Sequence, residues 1–124
     1  LNILTYRYCP ENVQEALAIA DPLQAEKLNT CLNRITKFIQ KTQRERGKAF
    51  VSRTRLEPAR YYNFPCIVFR VVLANPLTTK EILADILAEQ RELSRDEGIE
   101  DEISILHQMA DAVLKQAEPN ARQA

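Results

Sequence analysis

The apolar positions along the chain follow two different periods. LNILTYRY, residues 1–8, alternates, with Leu4, Tyr6 and Tyr8 on one side and Ile3, Thr5 and Arg7 on the other, as a strand does. Pro10 ends it. ENVQEALAIA, residues 11–20, predicts a short helix, and Asp21 followed by Pro22 supplies the N-cap and first turn of a longer one. In that second helix Leu28, Leu32, Ile35, Phe38, Ile39 and Thr42 recur three or four apart, and Gly47 gives the C-terminal stop. KAFVSRTRL, residues 48–56, reads as a second strand, and EPARYYNFP as a loop too long for a tight hairpin turn. Cys66 to Ala74 is a third strand. Thr78 with Glu81 has the spacing of a capping box before a helix with Ile82, Leu83, Ile86, Leu87 and Leu93 on one face. After the acidic SRDEGIEDE, a last helix lines up Ile103, Leu106, Met109, Ala110, Val113 and Leu114, and residues 117–124 are expected to fray.

The order β-α-β-β-α-α, with two helices in the first connection, predicts an α+β domain of two layers spanning residues 1–124. Right-handed crossover makes the first two strands parallel. The third fits most economically between them and antiparallel to both, giving a three-stranded sheet with helices on one face.

Composition narrows the function classes. Lys plus Arg and Asp plus Glu each number 17, so zero net charge removes the global attraction to nucleic acid or anionic membrane. The longest apolar run is the third strand, far below the ~20 residues of a membrane span, and no signal peptide opens the chain. A cytoplasmic protein is expected. The three cysteines Cys9, Cys31 and Cys66 lie far apart, in neither a disulfide framework nor the paired spacing of a zinc site. Gly47 and Gly98 are the only glycines, too few and too distant for a phosphate-cradling loop. The start at Leu1, directly in a strand, reads as a piece of a longer protein.

One residue of CIVFRVVLANP, residues 66–76, stands apart. Arg70 sits in a β-branched, aromatic and aliphatic run that reads as the central strand. Alternation puts Ile67, Phe69, Val71 and Leu73 on one side and Cys66, Val68, Arg70, Val72 and Ala74 on the other. The bulkier, wholly apolar side is expected to face the helices, which leaves Arg70 on a face that something outside this sequence covers. Arg70 is either a structural arginine paired with a carboxylate of a neighbouring loop or domain, or an anchor for a ligand carboxylate or phosphate. The residues alone leave both readings open.

LNILTYRYCP, FVSRTRL and VFRVVLANPLTTKEIL, in this order and spacing, resemble the C-terminal segment of the group II pyridoxal-phosphate-dependent amino-acid decarboxylases, the relatives of glutamate decarboxylase. The likeness runs from Leu1 to about Glu92 and is strongest at FRxxxxNP, Phe69 to Pro76. It implies a small C-terminal domain of a type I pyridoxal-phosphate fold, within a carboxy-lyase acting on aspartate or glutamate. The cofactor, pyridoxal phosphate, would be held by a large domain upstream in the same chain, and the whole enzyme would be a homodimer. The family's cofactor lysine follows a histidine, whereas here the sole histidine, His107, precedes Gln108. The fragment alone is therefore expected to bind no cofactor, contain no catalytic residue and be inactive. The family arginine of FRxxxxNP falls on Arg70, which would bind a substrate carboxylate.

Other candidates carry less chemistry. His107 lies beside the last helical stripe, where packing is the simpler role. Cys9 and Cys66 have no evident helix N-terminus or cation to activate a thiol, and Tyr61 and Tyr62 suit ordinary loop packing. The basic stretch from Lys37 to Arg55 is balanced by the acidic run from Asp96 to Glu102, which suits a solvated surface or a domain contact. An autonomous small-ligand-binding or protein-interaction module is the alternative to a decarboxylase domain.

Overall fold

The computed structural model describes the backbone of residues 2–47, 51–73 and 76–123, and the side chains of residues 3–47, 51–72 and 80–116. The elements are β1 (Asn2–Tyr6), α1 (Glu11–Ile19), α2 (Pro22–Arg46), β2 (Ser52–Leu56), β3 (Cys66–Leu73), α3 (Pro76–Leu93) and α4 (Glu100–Gln123). A single 3-10 turn, Ala59–Tyr61, interrupts the loop before β3. The sheet order is β1-β3-β2, and both pairings are antiparallel. The expected α+β architecture, with the third strand in the centre, is thus what the chain adopts.

α2 is specified by local signals at both ends. The Asp21 carboxylate accepts from the Gln24 backbone N–H at 2.8 Å, while the Gln24 side chain accepts from Asp21 N–H at 3.0 Å. This reciprocal box satisfies two donors that the first turn would otherwise leave unpaired. Pro22 starts the helix with its backbone angle already set. Gly47 closes it at φ 70°, a left-handed conformation in which a Cβ is strained.

α3 departs from expectation. It begins at Pro76, so Thr78 lies inside its first turn and does not precede the helix. A proline at the first helical position starts this helix three residues earlier than the Thr78–Glu81 spacing suggests. α4 extends to Gln123, over residues expected to fray. Residues 48–50 of the expected second strand, and Ala74 of the third, fall outside the described residues.

The core lies between the helices and one face of the sheet. Phe69 and Val71 are buried there with Leu28, Leu32, Ile35 and Ile39 of α2, Ile86 and Leu93 of α3, and Leu106 and Ala110 of α4. Tyr6, directly opposite Phe69, lies against it with ring centroids 5.3 Å apart. A polar chain crosses this apolar layer. Tyr6 Oη donates to Gln90 Oε1 at 2.9 Å, Gln90 Nε2 to Gln43 Oε1 at 3.1 Å, and Gln43 Nε2 to the Ile86 carbonyl at 3.3 Å. Burial raises the Tyr6 hydroxyl above its usual pKa, against the smaller lowering effect of Gln90. The hydroxyl therefore stays protonated and able to donate, and the chain ties β1, α2 and α3 together with its amides satisfied.

Candidate functional site: an arginine-bearing strand and a basic cleft

Asn33 of α2 fixes the start of β3. Its Nδ2 donates to the Pro65 carbonyl at 2.8 Å, and its Oδ1 accepts from the Ile67 N–H at 2.8 Å. Arg70 follows three residues later, between Thr5 of β1 and Ser52 of β2. Directly opposed residues of antiparallel strands point the same way, so Thr5, Arg70 and Ser52 form one polar row across the sheet. Ser52 Oγ donates to the Arg70 carbonyl at 3.2 Å. The Arg70 side chain is half-buried, and among the described residues no carboxylate lies within ion-pair distance of it.

This face is less open than the sequence suggests. Val68 is only 7% exposed, so on this face burial within the chain covers Cys66 and Val68, the first half of β3. Among the described residues of this face, the open apolar surface is Val72 at 45% and its cross-strand neighbour Ile3 at 53%, with Leu56 at the other end of the sheet.

A second cationic feature escaped the sequence reading. Arg7, Cys9, Gln14, Leu17, Ala18, Arg60 and Tyr61 line a cleft of about 490 Å³. Arg7 extends from the end of β1, Arg60 and Tyr61 belong to the 3-10 turn, and Gln14, Leu17 and Ala18 are spaced along one face of α1. Both guanidinium groups lie over the Tyr61 ring, Arg7 at 5.2 Å and Arg60 at 4.8 Å from its centroid. Arg7 Nη1 donates to Asn29 Oδ1 at 2.7 Å, and Asn29 is fully buried in α2. The visible signal was the flanking of each arginine by tyrosines, in Tyr6-Arg7-Tyr8 and Arg60-Tyr61-Tyr62. Tyr61 is therefore part of the cleft wall and more than loop packing.

The cations act on the nearby thiols. Burial pushes the Cys9 thiol up, and Arg7 and Arg60 pull it partly back; Cys66 behaves in the same way. Cations absent from the sequence reading of these thiols are thus present, although burial remains the larger effect. Cys31, between α2 and α4, is raised furthest: burial and the hydrogen-bonded carboxylate of Glu102 push it up to about 12, against a smaller lowering effect of Arg34. All three cysteines are free. His107 Nδ1 accepts from Asn12 Nδ2 at 2.9 Å, a contact that joins α4 to α1. Arg70 is absent from the cleft lining, so the strand arginine and the cleft are separate features of the surface. Among the described residues no helix is long and apolar enough to cross a membrane, and no three potential metal ligands cluster.

No protein-family model and no solved structure matches the chain. An aspartate 1-decarboxylase of Aliivibrio fischeri is 55% identical to it over 114 residues, which are 92% of this chain and 20% of that protein. The chain thus spans about a fifth of the length of the curated relative it matches. These findings correct the expectations taken from resemblance. The relative's name specifies aspartate, and neither glutamate nor a cofactor, while no model of the pyridoxal-phosphate family matches. The assignment to that family therefore does not stand. Pyridoxal phosphate as cofactor, the domain expected to hold it and the homodimer rested on that assignment alone, and none of them is carried forward. The physical reason lies in the motif: FRxxxxNP spans a central strand and the proline that starts the next helix, a pattern of fold that does not itself specify a cofactor. Over nearly all its length, this chain is similar to a segment of an aspartate 1-decarboxylase.

Proposed function

We propose that the chain serves in the 1-decarboxylation of aspartate, a carboxy-lyase reaction, and that Arg70 binds a carboxylate of the substrate. The observation that carries the reading is the 55% identity to an aspartate 1-decarboxylase across 92% of the chain. Aspartate bears two carboxylates, of which the reaction removes one and keeps the other. A tight grip on the departing carboxylate would stabilise the ground state and work against bond breaking, whereas a grip on the retained one costs nothing in the transition state. Arg70 is therefore assigned to the retained, side-chain carboxylate.

The guanidinium suits that task. It projects from the central strand of the sheet, beside a residue packed into the core, and its planar fork matches a carboxylate in bidentate geometry. Holding the substrate at one end orients the scissile bond at the other. Breaking that bond leaves an electron pair that an electron-accepting group must take, and no residue described here is assigned that part.

The test is to assay the protein that carries this chain for CO2 release from L-aspartate and from L-glutamate, side by side. The expected result is turnover of aspartate to β-alanine, with glutamate turned over more slowly. No release from aspartate, or a preference for glutamate, overturns the reading.

A further inference from the structure

Arg7 and Arg60 are brought over one aromatic ring with no carboxylate of the described residues within ion-pair distance of either. Two like charges sharing a ring repel each other, and the arrangement gains if a negative group sits between them. Arg7 is not free to swing away, because the fully buried Asn29 holds one of its nitrogens at 2.7 Å. A guanidinium has five N–H donors, so most of the Arg7 fork remains available. The cleft beside it, about 490 Å³, is within the range that takes a small molecule.

We infer that this cleft binds a small organic oxyanion, with the negative group held between Arg7 and Arg60 and the ligand's carbon skeleton against Leu17 and Ala18. Gln14 adds a selective contact. Its Nε2 is committed to the Cys9 carbonyl at 2.7 Å, which leaves Oε1 to accept a hydrogen bond from a ligand hydroxyl or amino group. Arg70 takes no part in lining the cleft, so this site stands or falls independently of the aspartate reading. A carboxylate and a phosphate monoester share the required chemistry, and the experiment separates them.

The full chain is titrated with succinate and with inorganic phosphate while the Arg side-chain Nε–H resonances and the rate of Cys9 alkylation by iodoacetamide are followed. Cys9 lines the cleft, so occupancy should slow its alkylation saturably. Arg60 is exposed, and its replacement leaves the core intact. Loss of one charge-assisted contact in Arg60→Gln should weaken binding by about tenfold or more, with Arg60→Lys in between. Arg55→Gln, which removes an arginine outside the cleft, should change nothing. Tighter binding of succinate or of phosphate identifies the anion class. Saturable binding of neither anion, or equal weakening by Arg55→Gln and Arg60→Gln, overturns the inference, the latter because it reports diffuse surface charge.

Discussion

Phe69 and Arg70 are consecutive residues of β3, and the chain serves them differently. Phe69 is 1% exposed, with the Tyr6 ring tilted against it and helices over it, and the amides beside it are paired by other amides of the same chain. Arg70 stands in a row with Thr5 and Ser52, without a carboxylate partner among the described residues. The same contrast separates Cys31, sealed between α2 and α4, from Cys9 in the wall of the basic cleft. The amides beside Phe69 satisfy one another, whereas Arg70, on the opposite side of the strand, presents a cation to whatever comes from outside. A stiff strand serves both sides, because anchoring Phe69 in the core also fixes the place from which Arg70 projects.

The contrast can be broken first at its strongest point. Phe69→Ala should cost about 3–5 kcal/mol, read by denaturant unfolding, since the side chain is fully buried in the core beneath α2 and beside α3. A cost near that of a surface substitution would mean that the helices do not close over this face.

Alkaline titration sharpens the contrast between the two thiols. Cys31 has its pKa raised from 9.0 to about 12 in the fold. A raised folded-state pKa contributes stability that is fully present below the unfolded value and lost as pH rises through the folded one. The chain should therefore lose stability between about pH 9 and 12, and Cys31→Ala should flatten that loss in unfolding curves measured across the window. An unchanged slope in the variant would show that Cys31 does not carry it.

The smallest effects lie on the Arg70 side itself. Val68→Ala should cost about 1.5 kcal/mol, from two buried methyl groups, whereas Val72→Ala should stay within about 0.5 kcal/mol. Equal costs in the same unfolding assay would erase the boundary between the closed and open parts of this face.

Much of the scaffold was legible because its signals are local. Asp21, Pro22, Gln24 and Gly47 specify the ends of α2 within a few residues, and the third strand's apolar run marked it as central. The side of β3 that faces the core was also readable, since Phe69 and Val71 alternate with Arg70. What escaped depends on residues distant in the chain. Gln40, Gln43 and Gln90 look like solvated letters, yet each is buried and bonded to another element or its own neighbours in the layer. The cleft escaped for the same reason: Arg7 and Arg60 meet only because the loop before β3 places Tyr61 beneath both. Val68 was expected on an open surface, and alternation alone gave no means of seeing how far burial extends along a strand. The cofactor expectation failed differently, by carrying a family's cofactor over from a motif that places a strand, an arginine and a helix start.

The most direct test of the central claim is Arg70→Lys in the protein that carries this chain, with aspartate turnover and thermal unfolding measured on the same preparation. Lysine keeps the charge and loses the two-pronged contact, which is worth roughly 1.5–3 kcal/mol. The account predicts a fall in kcat/KM for aspartate of about tenfold or more, with the melting temperature unchanged. A lowered melting temperature with normal kinetics would contradict it, because Arg70 would then be holding the protein together and not the substrate.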